Sequence, residues 1–541
     1  MKNRTFELAM PSISARQKSG HMQRRIVIAA AISLLAGCAV GPDYSRPELT
    51  PSKGFSPKPL PSATTASPVP GGNSQHFVLS QDIQADWWTL FRSPQLNALV
   101  EKAFAANPTI ESAQAALRVA QENVYAQRGF FFPTVQAGYS PARTKIAGNL
   151  GGNSPGLQGN GTNISTTEKS SSPFVGPVIY NFHTTQLTVG YTPDVFGGNR
   201  RQVESLEAEA KYQKLQLEAA YITLASNVTA AAIQEALLRE QIAILNRIIE
   251  SNTQSVELVQ RQLKAGYASR LDLSMQQTTL QQAKEQLPPL QKQFEQTRNL
   301  LRALAGGMQD SDLPESFDLA SLQLPENLPL SLPSQVIEQR PDVRAAEEQL
   351  RAASAQIGVA LANRLPQFSI DGTWGGAANQ FSQMFWSSGR FFELAANLSM
   401  PLFDGGVLRH RQRAAEESYK QAAAQYKETV ITSFQNVADT LHAIHADAES
   451  FKLAADVADT TKTTLDLTQR QHARGYVDRL TLITAEQGYR QAALNVAQAR
   501  ATRLGDTAAL FQALGGGWWN RADKEKKAET EPAIAASTSS N

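Results

Sequence analysis

Four stretches of the chain alternate apolar and polar residues with a period of two. In the first, Pro133, Val135, Ala137 and Tyr139 form an apolar set, and Thr134, Gln136, Gly138 and Ser140 a small or polar one. In the second, Thr185, Leu187, Val189 and Tyr191 alternate with Thr184, Gln186, Thr188 and Gly190. Phe368, Ile370 and Trp374 alternate with Gln367, Ser369, Asp371 and Thr373, and Phe392, Leu394, Ala396, Leu398 and Met400 with Glu393, Ala395, Asn397 and Ser399. Successive strand side chains point to opposite faces, so each stretch predicts a strand with one apolar and one polar face. Each is about as long as a tilted membrane strand must be, which fits an apolar face toward lipid and a polar face toward water. A soluble sandwich whose apolar faces meet is the competing reading. The Gly-, Asn- and Ser-rich stretch from Gly148 to Ser172 has the polarity of an extracellular loop and favours the membrane.

Between the strands the pattern changes to that of long helices. From Asn199 to Ala265 there is no Gly or Pro in 67 residues, and from Val407 to Arg474 there is none in 68. Both stretches are rich in Ala, Glu, Gln, Leu and Lys, which are good helix formers. At 1.5 Å per residue each helix would be ~100 Å long. Small and apolar residues at three- and four-residue spacing predict lateral packing against similar helices, although these segments alone fit a plain coiled-coil rod as well. Gly266 and Gly475 then end the helices as C-caps, and the chain reverses into a second helix after Arg270 and Leu271, or Arg479 and Leu480.

The chain repeats itself. Pro108, Leu117, Arg118 and Pro133 match Pro341, Leu350, Arg351 and Pro366 at an offset of 233; Pro193, Gly197 and Gly198 match Pro401, Gly405 and Gly406 at 208. Arg261, Gln262, Gly266, Tyr267, Arg270, Leu271 and Leu273 match Arg470, Gln471, Gly475, Tyr476, Arg479, Leu480 and Leu482 at 209. Two copies of one unit supply four strands. Four strands cannot close a barrel in lipid without leaving edges unpaired, so oligomerisation is required, and three chains would give twelve strands.

The N-terminus changes the compartment. Gln23, Arg24 and Arg25 precede an apolar run from Ile26 to Leu35, too short to span a bilayer, which reads as a signal peptide over residues 1–37; Met22 is a second possible start. Leu35, Ala36 and Gly37 lead into Cys38, the only cysteine, an arrangement resembling a bacterial lipobox; the resemblance implies cleavage before Cys38, acylation there, and, with Ala39 following, export to the outer membrane. Residues 38–80, rich in Pro, Ser, Thr and Gly, read as a lipidated tether that forms no packed core. The body is expected from Trp87 to Trp519, with repeats over 81–306 and 333–519, a linker over 307–332 and a disordered tail over 520–541. Composition adds bounds: 42% hydrophobic content can bury a large core. Removing residues 1–37 takes six of 51 basic and one of 49 acidic residues, leaving 45 against 48, so the mature chain is nearly neutral and carries no basic stripe for nucleic acid.

Little in the chain points to catalysis or to a metal. His442 and His445 stand three apart with no third ligand, so no metal is expected. The chain has no Walker loop, nucleophile elbow, HExxH or dinucleotide fingerprint, and the glycines near Gly151 and Gly152 do not open a helix. A channel without catalytic residues or cofactors is expected.

Several motifs in order resemble one family: Gly41, Pro42, Asp43, Tyr44, Arg46 and Pro47 after the cysteine; Trp87, Trp88 and Phe91; Arg340, Pro341, Asp342, Val343 and Arg344 with Glu347; and Pro401, Leu402, Phe403, Asp404, Gly405 and Gly406. The chain resembles the TolC-like outer-membrane efflux proteins, in particular their OprM-like or NodT-type lipoprotein branch. The resemblance implies a mixed α+β membrane protein: a homotrimer with a twelve-stranded β-barrel continued by a long periplasmic α-helical barrel. It also implies passive efflux of drugs or other small toxic compounds through the lumen, with a periplasmic adaptor and an inner-membrane, RND-type transporter as partners. A type I protein-secretion duct shares this architecture, and a structural coiled-coil lipoprotein is the alternative of another class. By the same resemblance Arg261, Gly266, Ser269, Leu271, Asp272, Gly475, Arg479 and Leu480 would dock the adaptor. Asp478 and Arg479 are the candidates for the periplasmic gate. Asp478 sits one place later than the family's acidic residue, where this chain has Val477, which leaves a surface aspartate as an equal reading.

Overall fold

The computed structural model describes residues 39–47, 54–56, 61–146, 178–310 and 316–521. The signal peptide, Cys38, the Gly148–Ser172 loop and nearly all of the tail lie outside the described residues. The chain divides into two compact units, each assembled from three separate stretches of sequence.

The first unit, Met1–Tyr44, Glu122–Leu206 and Ala352–Tyr419, holds the four strands read from the alternating stretches. They are β2 (Thr134–Ile146), β3 (Val178–Tyr191), β5 (Gln367–Ala378) and β6 (Arg390–Ser399), in one antiparallel sheet of order β2-β3-β5-β6. The predicted alternations fall on these strands except for Pro133 and Met400, which lie one residue outside β2 and β6, and each strand runs on past its alternation at one end. β2 runs through Pro141, which stands opposite His183 of β3. Register aligns the apolar sets: Ala137 pairs with Leu187, Leu187 with Trp374, and Trp374 with Phe392. One step along, Val135 pairs with Val189, Val189 with Gly372, and Gly372 with Leu394. Directly opposed residues share a face, so the apolar sets form one continuous surface. The other face carries Asp371, whose carboxylate accepts from Ser369 Oγ at 3.1 Å and Asn397 Nδ2 at 3.2 Å.

The second unit, Ser45–Gln121, Glu207–Arg351 and Lys420–Asn541, holds the main core. Trp87 stacks on Phe511 with ring centroids 5.2 Å apart and meets Trp88 and Phe91 edge-on. Helices α1 (Pro94–Ala106) and α2 (Pro108–Gly129) precede β2, and α5 (Pro333–Gln339) and α6 (Pro341–Ala362) precede β5. The long helices are α3 (Gly198–Lys264) and α7 (Val407–Ala473), 67 residues each. The return helices are α4 (Arg270–Leu304) and α8 (Arg479–Ala513), 35 residues each.

Two segments differ from the sequence expectation. The stretch expected as an extended tether is docked over residues 61–80: β1 (His76–Leu79) pairs in parallel with β4 (Asn327–Leu330), and Gln75 is fully buried. Arg503, 1% exposed, donates to Thr64 Oγ1, Gly71 O, Asn73 O and Gln75 Oε1 at 2.7–3.3 Å. A Pro/Ser/Thr-rich segment buries little apolar surface of its own; a buried guanidinium that satisfies its carbonyls holds it instead. The 307–332 linker likewise supplies β4 and the core residues Phe317, Leu319, Leu322 and Leu328.

Candidate functional site: the helix tips and the apolar sheet

At the first tip, Gly266 adopts φ +81°, a conformation that strains any residue with a Cβ. Gly266 N–H donates to Leu263 O at 3.1 Å and Tyr267 N–H to Gln262 O at 2.8 Å, closing α3 as a Schellman cap. A capping box opens α4: Asp272 N–H donates to Ser269 Oγ at 3.1 Å, and Ser269 N–H to Asp272 Oδ2 at 2.8 Å. The bond from the Ser269 backbone, then that from its hydroxyl, hold the Asp272 carboxyl below its usual range. Tyr267, Leu271 and Met275 are exposed apolar residues around this turn, and Arg261 is exposed on the last turn of α3.

The second tip repeats the cap and exchanges the chemistry. Gly475 has φ +76°, with Tyr476 N–H donating to Gln471 O at 3.0 Å. Asp478 takes the place of Ser269 as N-cap of α8, accepting from Thr481 N–H at 2.8 Å and Thr481 Oγ1 at 2.6 Å. Those bonds, the hydroxyl's first, lower the pKa of Asp478. Hydroxyl and carboxylate have thus traded positions between repeats: Ser269 and Asp272 in one, Asp478 and Thr481 in the other. This capping role was missed in the sequence, although Asp-x-x-Thr before a helical run is a readable start signal.

Arg479, named above as a gate candidate, donates to the amide Gln254 Oε1 on α3 at 3.1 Å. Polar contacts continue between the same two helices: Ser251 Oγ to Glu486 Oε2 at 3.1 Å, Gln487 to Asn252, Arg490 to Arg247 O, and Gln241 to Gln498 at 3.1 Å. The long helix of one repeat is thereby joined to the return helix of the other through groups that exchange partners more easily than an apolar seam. Leu480, beside Arg479, is half-buried, whereas Leu271 at the equivalent place is exposed.

The motif residues meet in space within each unit. Arg46 forms an ion pair with Glu347 at 3.2 Å, and Arg340 binds Asp342 at 2.6 Å. Asp43 binds Arg201 at 2.7 Å, while Val40 N–H donates to Phe196 O at 3.1 Å, so the residues after Cys38 are held where β3 turns into α3. Asp404 accepts from Gly406 and Leu408 N–H, both at 2.8 Å, and so starts α7. His442 and His445 gain no further ligands, and no cluster of metal-binding side chains occurs among the described residues.

The sheet supplies the second functional surface. Phe392 is 82% and Leu394 78% exposed, and Val135, Tyr139, Leu187, Ile370, Trp374 and Leu398 on the same face are exposed as well. An apolar patch of this extent is an interaction surface, and its strand spacing fits lipid. No described helix is long and apolar enough to cross a membrane.

Comparison with known proteins agrees with this geometry. The family model described as outer membrane efflux protein matches residues 99–307 and 332–516. The pyoverdine export outer membrane protein OpmQ of Pseudomonas putida is 27% identical over 465 residues, 85% of this chain and 94% of that protein. The probable efflux pump outer membrane protein TtgC of the same species is 26% identical over 513 residues, 93% and 98% of the two chains. Among solved structures, the outer-membrane channel OprN superposes with a TM-score of 0.73 at 25% identity, covering 89% of this chain and all of that one. The CmeC outer membrane channel of Campylobacter jejuni superposes at 0.75 with 18% identity, covering 91% and 98%, a likeness of fold. With the duplicated strands, paired long helices and matched motifs all in place, the chain belongs to the outer membrane efflux protein family and is the outer-membrane channel component of a tripartite efflux system.

Proposed function

We propose that three copies of this chain close one twelve-stranded barrel and conduct small toxic compounds passively outward. The observation that carries this reading is the four-stranded sheet, apolar on one face, whose edges β2 and β6 have no partner strand among the described residues. In hydrocarbon an unpaired edge leaves N–H and C=O groups unsatisfied, and cyclic symmetry removes it by pairing β6 of each copy with β2 of the next. Substrates arrive through a periplasmic adaptor and an inner-membrane transporter that supplies the energy. The adaptor docks on the tips, at Arg261, Gly266, Ser269, Leu271 and Asp272 and at Gly475, Arg479 and Leu480; the exposed apolar residues around the first turn support this. Asp478 and Arg479 shape the closed entrance, a role supported by the exchangeable Arg479–Gln254 contact. Cys38 carries an acyl anchor, supported by the docking of Val40 to Asp43 beside the sheet. The relatives named for pyoverdine, antibiotics, toluene and solvents favour small-molecule cargo. Native mass spectrometry of the detergent-solubilised protein is expected to show a trimer, and a stable monomer overturns the closure argument. Mass spectrometry of the mature N-terminus tests the anchor, which an unmodified Cys38 would refute.

A further inference from the structure

We infer that Arg409, Arg411 and Arg413, at the start of α7, bind the headgroups of anionic phospholipids in the leaflet at the helical end of the barrel. The inference rests on the membrane reading of the sheet and extends it to a lipid class. Chain order places the cluster: β6 ends at Ser399, and α7 begins at Val407. Between them Leu402 is 94% and Phe403 92% exposed, so apolar surface continues past the last strand. Arg409 follows within about two turns.

Among the described residues the charge of this segment is not spent inside the chain. Arg409, Arg411 and Arg413 are exposed and have no ion-pair partner among the described residues. No acidic residue lies between Asp404 and Glu416. Asp404 is committed to the backbone N–H groups of the helix start, and Glu416 accepts from Gln412 at 2.8 Å.

The first repeat provides an internal control. At the offset of 208, Arg409, Arg411 and Arg413 correspond to Arg201, Val203 and Ser205, all three buried. There Arg201 is neutralised by Asp43 and Glu204, each at 2.7 Å. The second repeat has lost these partners and gained two arginines. On a helix Arg409 and Arg413 share one face while Arg411 lies well round from them. A contact with a single neighbouring helix would use one face, whereas charge spread around the helix beside exposed Leu and Phe is the arrangement that long, snorkelling arginines make at a headgroup layer. Arg364, just past the end of α6, adds a further guanidinium beside them, donating to Gln412 Oε1.

The test uses full-length protein reconstituted in nanodiscs of phosphatidylcholine with or without phosphatidylglycerol. Lipid co-purifying after detergent extraction is then counted by native mass spectrometry. The wild-type protein is expected to retain phosphatidylglycerol several-fold over phosphatidylcholine, less so in high salt, and the R409Q/R411Q/R413Q variant to lose the preference while inserting normally. Absence of a preference in the wild type, or its survival in the triple variant, overturns the proposal. A triple variant that inserts but falls to monomers overturns it too, assigning the arginines to a contact between copies. Failure of the wild type to insert into either bilayer refutes the membrane reading itself, and the proposal with it.

Discussion

Asn107 and Arg340 close the same junction in the two repeats. Asn107 Nδ2 donates to Leu304 O at 2.8 Å, the last residue of α4, and its Oδ1 accepts from Thr109 N–H at 2.8 Å at the start of α2. Arg340 Nη1 donates to Ala513 O at 2.6 Å, the last residue of α8. The accepting half of the task passes to Asp342, which binds Arg340 and takes Val343 N–H at 2.9 Å. One amide in the first repeat is replaced by an arginine–aspartate pair in the second, which is a physical reason for the Arg-Pro-Asp motif.

The two caps should therefore differ in strength. Asn107→Ala is expected to cost about 1–2 kcal/mol, the usual range for a lost cap with its second bond. Arg340→Ala should cost about 2–4 kcal/mol, because it removes a charge-assisted bond and leaves a buried carbonyl unpaired. Arg340→Lys should restore little, since an ammonium cannot hold Asp342 and Ala513 O with a planar fork. Thermal unfolding of the three variants ranks them, and equal losses for Asn107→Ala and Arg340→Ala would contradict the assignment.

The apolar row Ala137, Leu187, Trp374 and Phe392 predicts a face-specific effect. Trp374→Lys is expected to destabilise the inserted barrel by roughly 2–4 kcal/mol, the cost of a cation on the lipid face near the midplane. Thr373→Lys, one residue away on the other face, should leave insertion near normal. Folding into lipid vesicles, followed by the gel-mobility shift of heated against unheated protein, reads both. Equal sensitivity would mean that the register does not sort the faces.

Asp447 predicts a dependence on pH. Burial, then the hydrogen bond to Asp506 and the charge there, push its pKa up to about 7 against the pull of Arg503. The folded protein then holds a proton that the unfolded chain releases near 3.8, so this group's contribution falls as pH rises from about 4 to 7. Asp447→Asn is expected to raise the midpoint of thermal unfolding at neutral pH and flatten its slope across that window. An unchanged slope would assign the dependence to other groups.

What was legible in the sequence follows from how local its cause is. The strands and long helices were readable because periodicity is written into adjacent residues: α3 and α7 begin and end within a residue of the Gly/Pro-free stretches. The docking of residues 61–80 was not, because its cause lies elsewhere: Gly71 is held by Arg503, 432 residues away, and composition describes only what a segment can do alone. Arg503 itself reads as one more arginine on a helix. The tips fall between these cases. Gly266 and Gly475 were legible as caps, whereas Asp478 was weighed for its charge and not for its lone pairs.

That last point gives the most decisive experiment on the tips. Asp478 can matter as the N-cap of α8, as a lumenal charge, or as both, and two substitutions separate these roles. Asparagine caps about as well as aspartate but carries no charge, while alanine removes both properties. If the cap is the whole role, Asp478→Asn should leave stability, conductance and cation preference near wild type, and Asp478→Ala should lose about 1 kcal/mol. If three carboxylates line the entrance, Asp478→Asn should already lower cation preference in planar-bilayer recordings, and Asp478→Ala should add only the loss of stability. Arg479→Ala provides the contrast. It removes the bond to Gln254 without touching the cap, so it should raise resting open probability while leaving the unfolding midpoint nearly unchanged. A channel in which Asp478→Asn and Arg479→Ala both conduct like wild type has its gate elsewhere, and the polar contacts from Ser251 to Gln498 become the next residues to vary.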